Sequence, residues 1–139
     1  MRTKRRSLFG ITVLTIITFG LYPIYWFFIT KTEMNTVNGA ANKVPFFLWF
    51  FIPIINIWWF WRFAKAIEKT TKGTVNRWAA FFAPVILEIL GGFLLSITYP
   101  IYTAPNSNVI ATWGAILMII VVSLLPIYYF QSNLNKYAK

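Results

Sequence analysis

The chain has 139 residues, of which 58% are apolar, 20% aromatic and only 12% charged, against a usual ~25% charged in soluble domains. Thirteen Lys and Arg stand against three Glu, for a formal net charge of +10. So apolar a composition excludes disorder. The absence of His and Cys excludes disulfides, thiolate nucleophiles, imidazole bases and the usual zinc and iron ligand sets.

No charged residue occurs from Ile89 to Asn135, a run too long for a soluble core helix. The reading is one integral membrane domain over residues 1–139, all-α, with four transmembrane helices in a bundle. About 20 residues at ~1.5 Å each cross ~30 Å of hydrocarbon. In chain order the expected spans are Leu8–Ile29, Val44–Trp61, Trp78–Tyr102 and Ile110–Phe130. A polar link (30–43), a basic link (62–77) and a Pro/Asn/Ser turn (103–109) join them. The first apolar stretch follows basic residues and lacks a small-x-small cleavage site, so it reads as a retained helix.

Lys and Arg resist translocation. With four spans, the N-terminal segment, the 62–77 link and the tail share one side and carry eleven of the thirteen basic residues, leaving Lys31 and Lys43 opposite. Both termini are then cytoplasmic. Helix two continues into a basic amphipathic segment in which Arg62, Lys65, Lys69 and Lys72 recur at intervals of three and four, followed by Arg77. These five are the candidate contacts to anionic lipid headgroups. A Glu68–Lys72 pair at i,i+4 and a C-cap at Gly73 are expected there. Charges confined to a membrane surface give no reason to expect a nucleic-acid partner.

Pro-Ile-Tyr occurs three times, beginning at Pro23, Pro100 and Pro126, each near the C-terminal end of an expected span. Proline kinks a helix, and tyrosine anchors at headgroup level. Trp26, Trp58, Trp59, Trp61, Trp78, Tyr99, Tyr128 and Tyr129 complete an aromatic belt by the same reasoning. Leu14–Phe27 and Leu117–Phe130 agree at eight of fourteen positions, either as an inverted repeat of transporter type or through convergent apolar composition.

Glu88 is the one ionisable residue well inside an expected span, with Asn56 as a candidate neighbour; together they form the candidate intramembrane polar site. Gly20, Pro23, Pro53, Pro84, Gly91, Gly92, Pro100 and Pro126 are the packing or kink positions. The sequence holds no phosphate-loop, dinucleotide or nucleophile-elbow motif, so no enzyme, cofactor or metal is expected.

Thr18-Phe-Gly-Leu-Tyr-Pro-Ile-Tyr-Trp26, Lys31-Thr-Glu-Met-Asn35 with Gly39-Ala40, Ile52-Pro-Ile-Ile-Asn-Ile-Trp58 and Trp61 through Thr70 resemble a small prokaryotic membrane-protein family, domain of unknown function 4234. Gln131 and Leu134-Asn135-Lys136 extend the likeness to the tail. The resemblance implies a multi-pass protein of a prokaryotic cytoplasmic membrane and supplies no activity. It groups Gly20, Tyr22, Trp26, Glu33, Asn35, Asn56 and Gln131 in one pattern. The expected function is that of a non-enzymatic membrane protein acting through helix, lipid or membrane-protein contacts, its partners being anionic lipids and a second membrane protein or copy of itself. The alternative is a small oligomeric transporter or channel that uses Glu88.

Overall fold

The computed structural model describes residues 3–103 and 109–138; side chains at 88, 94, 95, 98–103, 109–112, 115, 116, 118 and 119 lie outside the description. The described residues are helical, with no strand. The elements are α1 (Leu8–Ile17), α2 (Tyr22–Asn38), 3-10 turns at Ala40–Asn42 and Phe47–Phe51, α3 (Pro53–Thr70), α4 (Arg77–Thr103) and α5 (Val109–Tyr137). Among the described residues, no helix is long and apolar enough to cross a membrane.

The first expected span, Leu8–Ile29, is two helices. Ser7 opens α1 by accepting a hydrogen bond from the Gly10 N–H at its N-terminus. Thr18 closes it, and the chain then turns through Phe19 (φ 50°) and Gly20 (φ 85°). The Gly20 N–H reaches the Thr15 carbonyl at 2.8 Å and the Phe19 N–H reaches that of Ile16 at 3.1 Å, the paired bonds of a Schellman ending. The Thr18 hydroxyl donates back to the Leu14 carbonyl (2.7 Å) and accepts from the Tyr22 N–H (2.9 Å), so it links the end of one helix to the start of the next.

The same corner recurs where α3 gives way to α4. Thr71 donates to the Ile67 carbonyl and accepts from the Val75 N–H, while Lys72 (φ 50°) and Gly73 (φ 83°) repeat the left-handed pair. Gly73 is thus at the expected helix end, one residue beyond a left-handed Lys72. Asn76 then caps α4 by accepting from the Trp78 N–H at 2.8 Å.

The second expected span, Val44–Trp61, is also broken, into the 3-10 turn Phe47–Phe51 and α3. Pro23 and Pro53 stand at the first positions of α2 and α3 instead of kinking the ends of spans; a missing N–H costs nothing there. The third and fourth expected spans correspond to α4 and α5. Helix α5 runs through Pro126 and on to Tyr137, and the helical range of α4 includes Pro84 and Pro100. Because Leu14–Phe27 contains the corner and Leu117–Phe130 is unbroken helix, their similarity is not a structural repeat. The expected 103–109 turn falls largely on residues 104–108, outside the described residues.

Contacts give the directions. Arg6 meets Asn135 and Thr12 meets Tyr128, so α1 is antiparallel to α5. Trp26 bonds Gln131 and Glu33 bonds Arg6, so α2 returns along α1. Counting one residue for one from Thr12–Tyr128, the corner lies opposite roughly residue 122 of α5. There a Cβ added at Gly91 would stand 3.2 Å from Val122, a close approach of α4 and α5 about halfway along both helices. Gly92 has nothing within 4 Å, so the expected packing seam is Gly91's alone.

The segment 44–51 climbs antiparallel to α2, with Phe47 against Phe28 and Phe50 against Phe27, and α3 descends beside them. Rings of Phe27, Phe47, Phe50, Trp59, Phe60 and Phe63 interlock, with centroids 5.2 Å apart for Phe50–Trp59 and 5.3 Å for Trp59–Phe63, within the range where aromatic pairs stabilise beyond their buried area. Trp26 and Trp59 are fully buried in this core and do not join an aromatic belt; Trp58, Trp78 and Tyr129 are exposed. The side chain of Tyr99 is not among those described.

Replacing Gly20 by Ala forces a side chain into a left-handed conformation and is expected to lower stability by about 1–2 kcal/mol. Thermal unfolding of the purified protein checks this. Gly92→Ala, placed mid-helix with open space around it, should not lower stability.

Candidate functional site

The N-terminal arm, the α2–α3 link, the α3–α4 corner and the tail meet at one end of the helices. A chain of polar contacts fastens them. The fully buried Trp26 donates its indole N–H to Gln131 Oε1 at 2.8 Å, and Gln131 Nε2 donates to Asn135 Oδ1 at 2.7 Å. Asn135 also holds the backbone of Arg6 at both its N–H (2.9 Å) and its carbonyl (2.7 Å). The Arg6 guanidinium pairs with Glu33, which in turn accepts from the Lys4 N–H at 3.0 Å. The Arg6 and Glu33 side chains expose only 14% and 13% of their surface, so removing either one would leave the other charge poorly solvated and unpaired.

A second set of contacts ties α2 to the following link and to α3. Asn35 brackets Val44, accepting its N–H at 2.6 Å and donating to its carbonyl at 3.0 Å. Arg62 donates to the Lys43 carbonyl at 2.9 Å. Asn38 donates to the Ala66 carbonyl (2.9 Å) and to Thr70 (3.0 Å).

Lys31 and Lys43 therefore lie at the same end as Arg6 and Arg62. This corrects the expectation that they face the opposite side: the broken spans make both apolar runs double back, so the 30–43 link returns to where the chain began. Lys31 exposes 9% of its surface, with the rings of Phe28 and Phe46 each 5.9 Å from its amine. Burial, and then the neighbouring Lys43 charge, holds its pKa below the ordinary lysine value.

The basic segment 62–77 differs from the expected continuous amphipathic face, because α3 ends at Thr70 and Lys72 lies in the corner. Glu68 pairs with Arg77 at 3.2 Å, not with Lys72, and also accepts the Arg77 N–H at the start of α4. Lys69 and Lys72 are exposed, while Arg62, Lys65 and Arg77 are partly covered.

Of the expected intramembrane pair, Asn56 is half-buried in the first turn of α3, where its N–H donates to the Ile52 carbonyl at 2.7 Å. The Glu88 side chain lies outside the described residues, so the Glu88–Asn56 pairing does too. Among the described residues no group of three His, Cys, Asp or Glu could hold a metal ion.

Sequence reasoning missed the roles of Thr18, Thr71, Asn38 and Asn135. The signal for the first two is a doubled Thr-x-Gly, at Thr18–Gly20 and Thr71–Gly73. For Asn135 the signal is its place four residues after Gln131 on α5, where one face carries both amides.

These features define an all-helical protein whose polar residues are gathered at one end to hold broken helices together. Residues 6–69 match the model of the family described as Domain of unknown function (DUF4234), so the resemblance read in the sequence holds over that segment. No curated protein and no solved structure matches the chain. The match includes Trp26, Arg6 and Glu33 but stops short of Gln131 and Asn135, which the fold joins to it through the hydrogen bonds above.

Gln131→Leu would leave the buried Trp26 N–H without an acceptor and should cost about 1–3 kcal/mol. Gln131→Leu combined with Trp26→Phe should recover part of that loss, because both polar partners are then gone. A double-mutant cycle on thermal unfolding measures the coupling.

Proposed function

We propose that the protein is a non-enzymatic integral component of a prokaryotic cytoplasmic membrane, acting through contacts to anionic lipids and to membrane-protein partners. In this reading α4 and α5 form a spanning hairpin, while α1–α2 and the 44–51 segment with α3 enter about halfway and return. The N-terminal arm, the tail and every described basic residue then face the cytoplasm.

The observation that carries the reading is the separation of charge from apolar surface. Every described basic residue belongs to the end built by the arm, the links and the tail. Beyond it, α4 exposes Phe82, Val85, Ile86, Ile89, Leu90, Phe93 and Ile97. Exposed apolar surface on that scale marks contact with lipid or protein. Helices of 27 and 29 residues rise about 40 Å, more than a ~30 Å hydrocarbon layer requires. Over the complete sequence, including positions whose side chains are not described, residues 79–96 contain a single charged residue, Glu88, and residues 109–130 contain none. The shorter α1, α2 and α3 cannot cross, yet a corner that satisfies its own backbone groups can be buried among neighbouring helices at membrane depth.

The full chain, expressed in a bacterial host, should stay with the membrane pellet through an alkaline carbonate wash and co-purify in gentle detergent with anionic phospholipid. Release into the carbonate supernatant would contradict this reading.

A further inference from the structure

Lys31, Lys43 and Arg62 lie close together where the α2–α3 link crosses between its helices, and among the described residues no acid pairs with them. The stem of Lys31 is covered, while its amine is not buried. Among the described residues no carboxylate or hydrogen-bond acceptor meets its amine; its neighbours there are the Phe28 and Phe46 rings. Asn35 lies one helical turn after Lys31, and its two bonds to Val44 bring the link across that face of α2. Lys43 is thereby held beside Lys31, close enough for the two charges to repel. Arg62 reaches in from α3 to the Lys43 carbonyl, using one of its five N–H donors. The nearby glutamates are engaged elsewhere, Glu33 with Arg6 and Glu68 with Arg77.

Holding like charges together is unfavourable. An anion seated among them would reverse the sign of that interaction. An ammonium pair beside a guanidinium suits a ligand with several oxygens, which a phosphate group supplies. The chain leaving the cluster then exposes Phe46, Leu48 and Trp49, while Phe47 between them packs on the core; the exposed three form an apolar border suited to acyl chains.

We propose that Lys31, Lys43 and Arg62 form a binding site for the phosphate group of an anionic phospholipid. The site deepens the membrane reading given above by naming one lipid position, and it rests on that reading for the lipid source. It differs from the exposed Lys69 and Lys72, where attraction to headgroups requires no particular geometry.

The test uses the full chain in detergent, titrated with dioctanoyl-phosphatidylglycerol and separately with inorganic phosphate, with native mass spectrometry and thermal shift as readouts. Lys31→Gln and Lys43→Gln should each weaken lipid binding about five- to tenfold, whereas Lys69→Gln and Lys72→Gln should change it less than about twofold. Lys31→Arg, which keeps the charge, should retain most of the binding and guards against loss through misfolding. Unchanged binding in Lys31→Gln and Lys43→Gln, or equal losses in all four Gln variants, would overturn the site. Inorganic phosphate that binds as tightly as the lipid would overturn the lipid assignment, while lipid binding without comparable phosphate binding supports it. The carbonate wash of the wild-type chain reports on the membrane reading separately, so the two can fail independently.

Discussion

The chain reverses within the four residues Thr18–Leu21, and the left-handed pair Phe19–Gly20 makes the reversal possible. A left-handed conformation costs an L-residue roughly 1–2 kcal/mol, and only glycine escapes that cost. Phe19 bears it because Gly20 and Thr18 satisfy the backbone groups that the two helix ends would otherwise leave open. Once the first apolar run turns back, α2 returns beside α1 and the 30–43 link lands at the end where the chain began. The 44–51 segment and α3 then repeat the excursion, and the corner at Thr71–Gly73 launches α4 by the same chemistry.

Doubling back brings polar residues of distant sequence into one layer, where they must find one another. The layer holds two sets of contacts, the Trp26–Gln131–Asn135–Arg6–Glu33 chain and the Asn35, Asn38 and Arg62 ties. The first fastens the N-terminal arm to the C-terminal helix. The second fixes the link that carries Lys43 beside Lys31. Stability and charge placement are therefore coupled: the contacts that hold the broken helices together also concentrate cations at one end. Within the matched residues 6–69, Arg6, Trp26, Glu33, Asn35, Asn38 and Arg62 make these ties.

The helical class and the positions of α4 and α5 were legible in the sequence, because long charge-free runs leave few alternatives. The breaks were not. Hydropathy sums apolar content and is insensitive to a corner built from Thr, Phe and Gly, all compatible with an apolar span. Pro23 and Pro53 were visible but ambiguous, since proline both kinks a helix and begins one. Reading them as beginnings divides both expected spans at the right places. Trp26 and Trp59 looked like belt residues because they lie near polar links, yet they are buried; burial depends on which helices meet, and one-dimensional patterning does not contain that. The pairing of Glu68 with Arg77 in place of Lys72 has the same origin, a corner that ends the helix before the expected i,i+4 partner.

The central claim is that Lys31 and Lys43 share a side with the basic 62–77 segment because both N-terminal apolar runs double back. The chain contains no cysteine, so single cysteines at positions 31, 43 and 72 can be probed with a membrane-impermeant maleimide in sealed inside-out and right-side-out vesicles. In the proposed membrane orientation, positions 43 and 72 should label from the cytoplasmic side alone, with the more covered position 31 labelling more slowly from that same side. Labelling of positions 31 and 43 from the outer side, with position 72 from the inner, would contradict the doubled-back arrangement and restore four full spans.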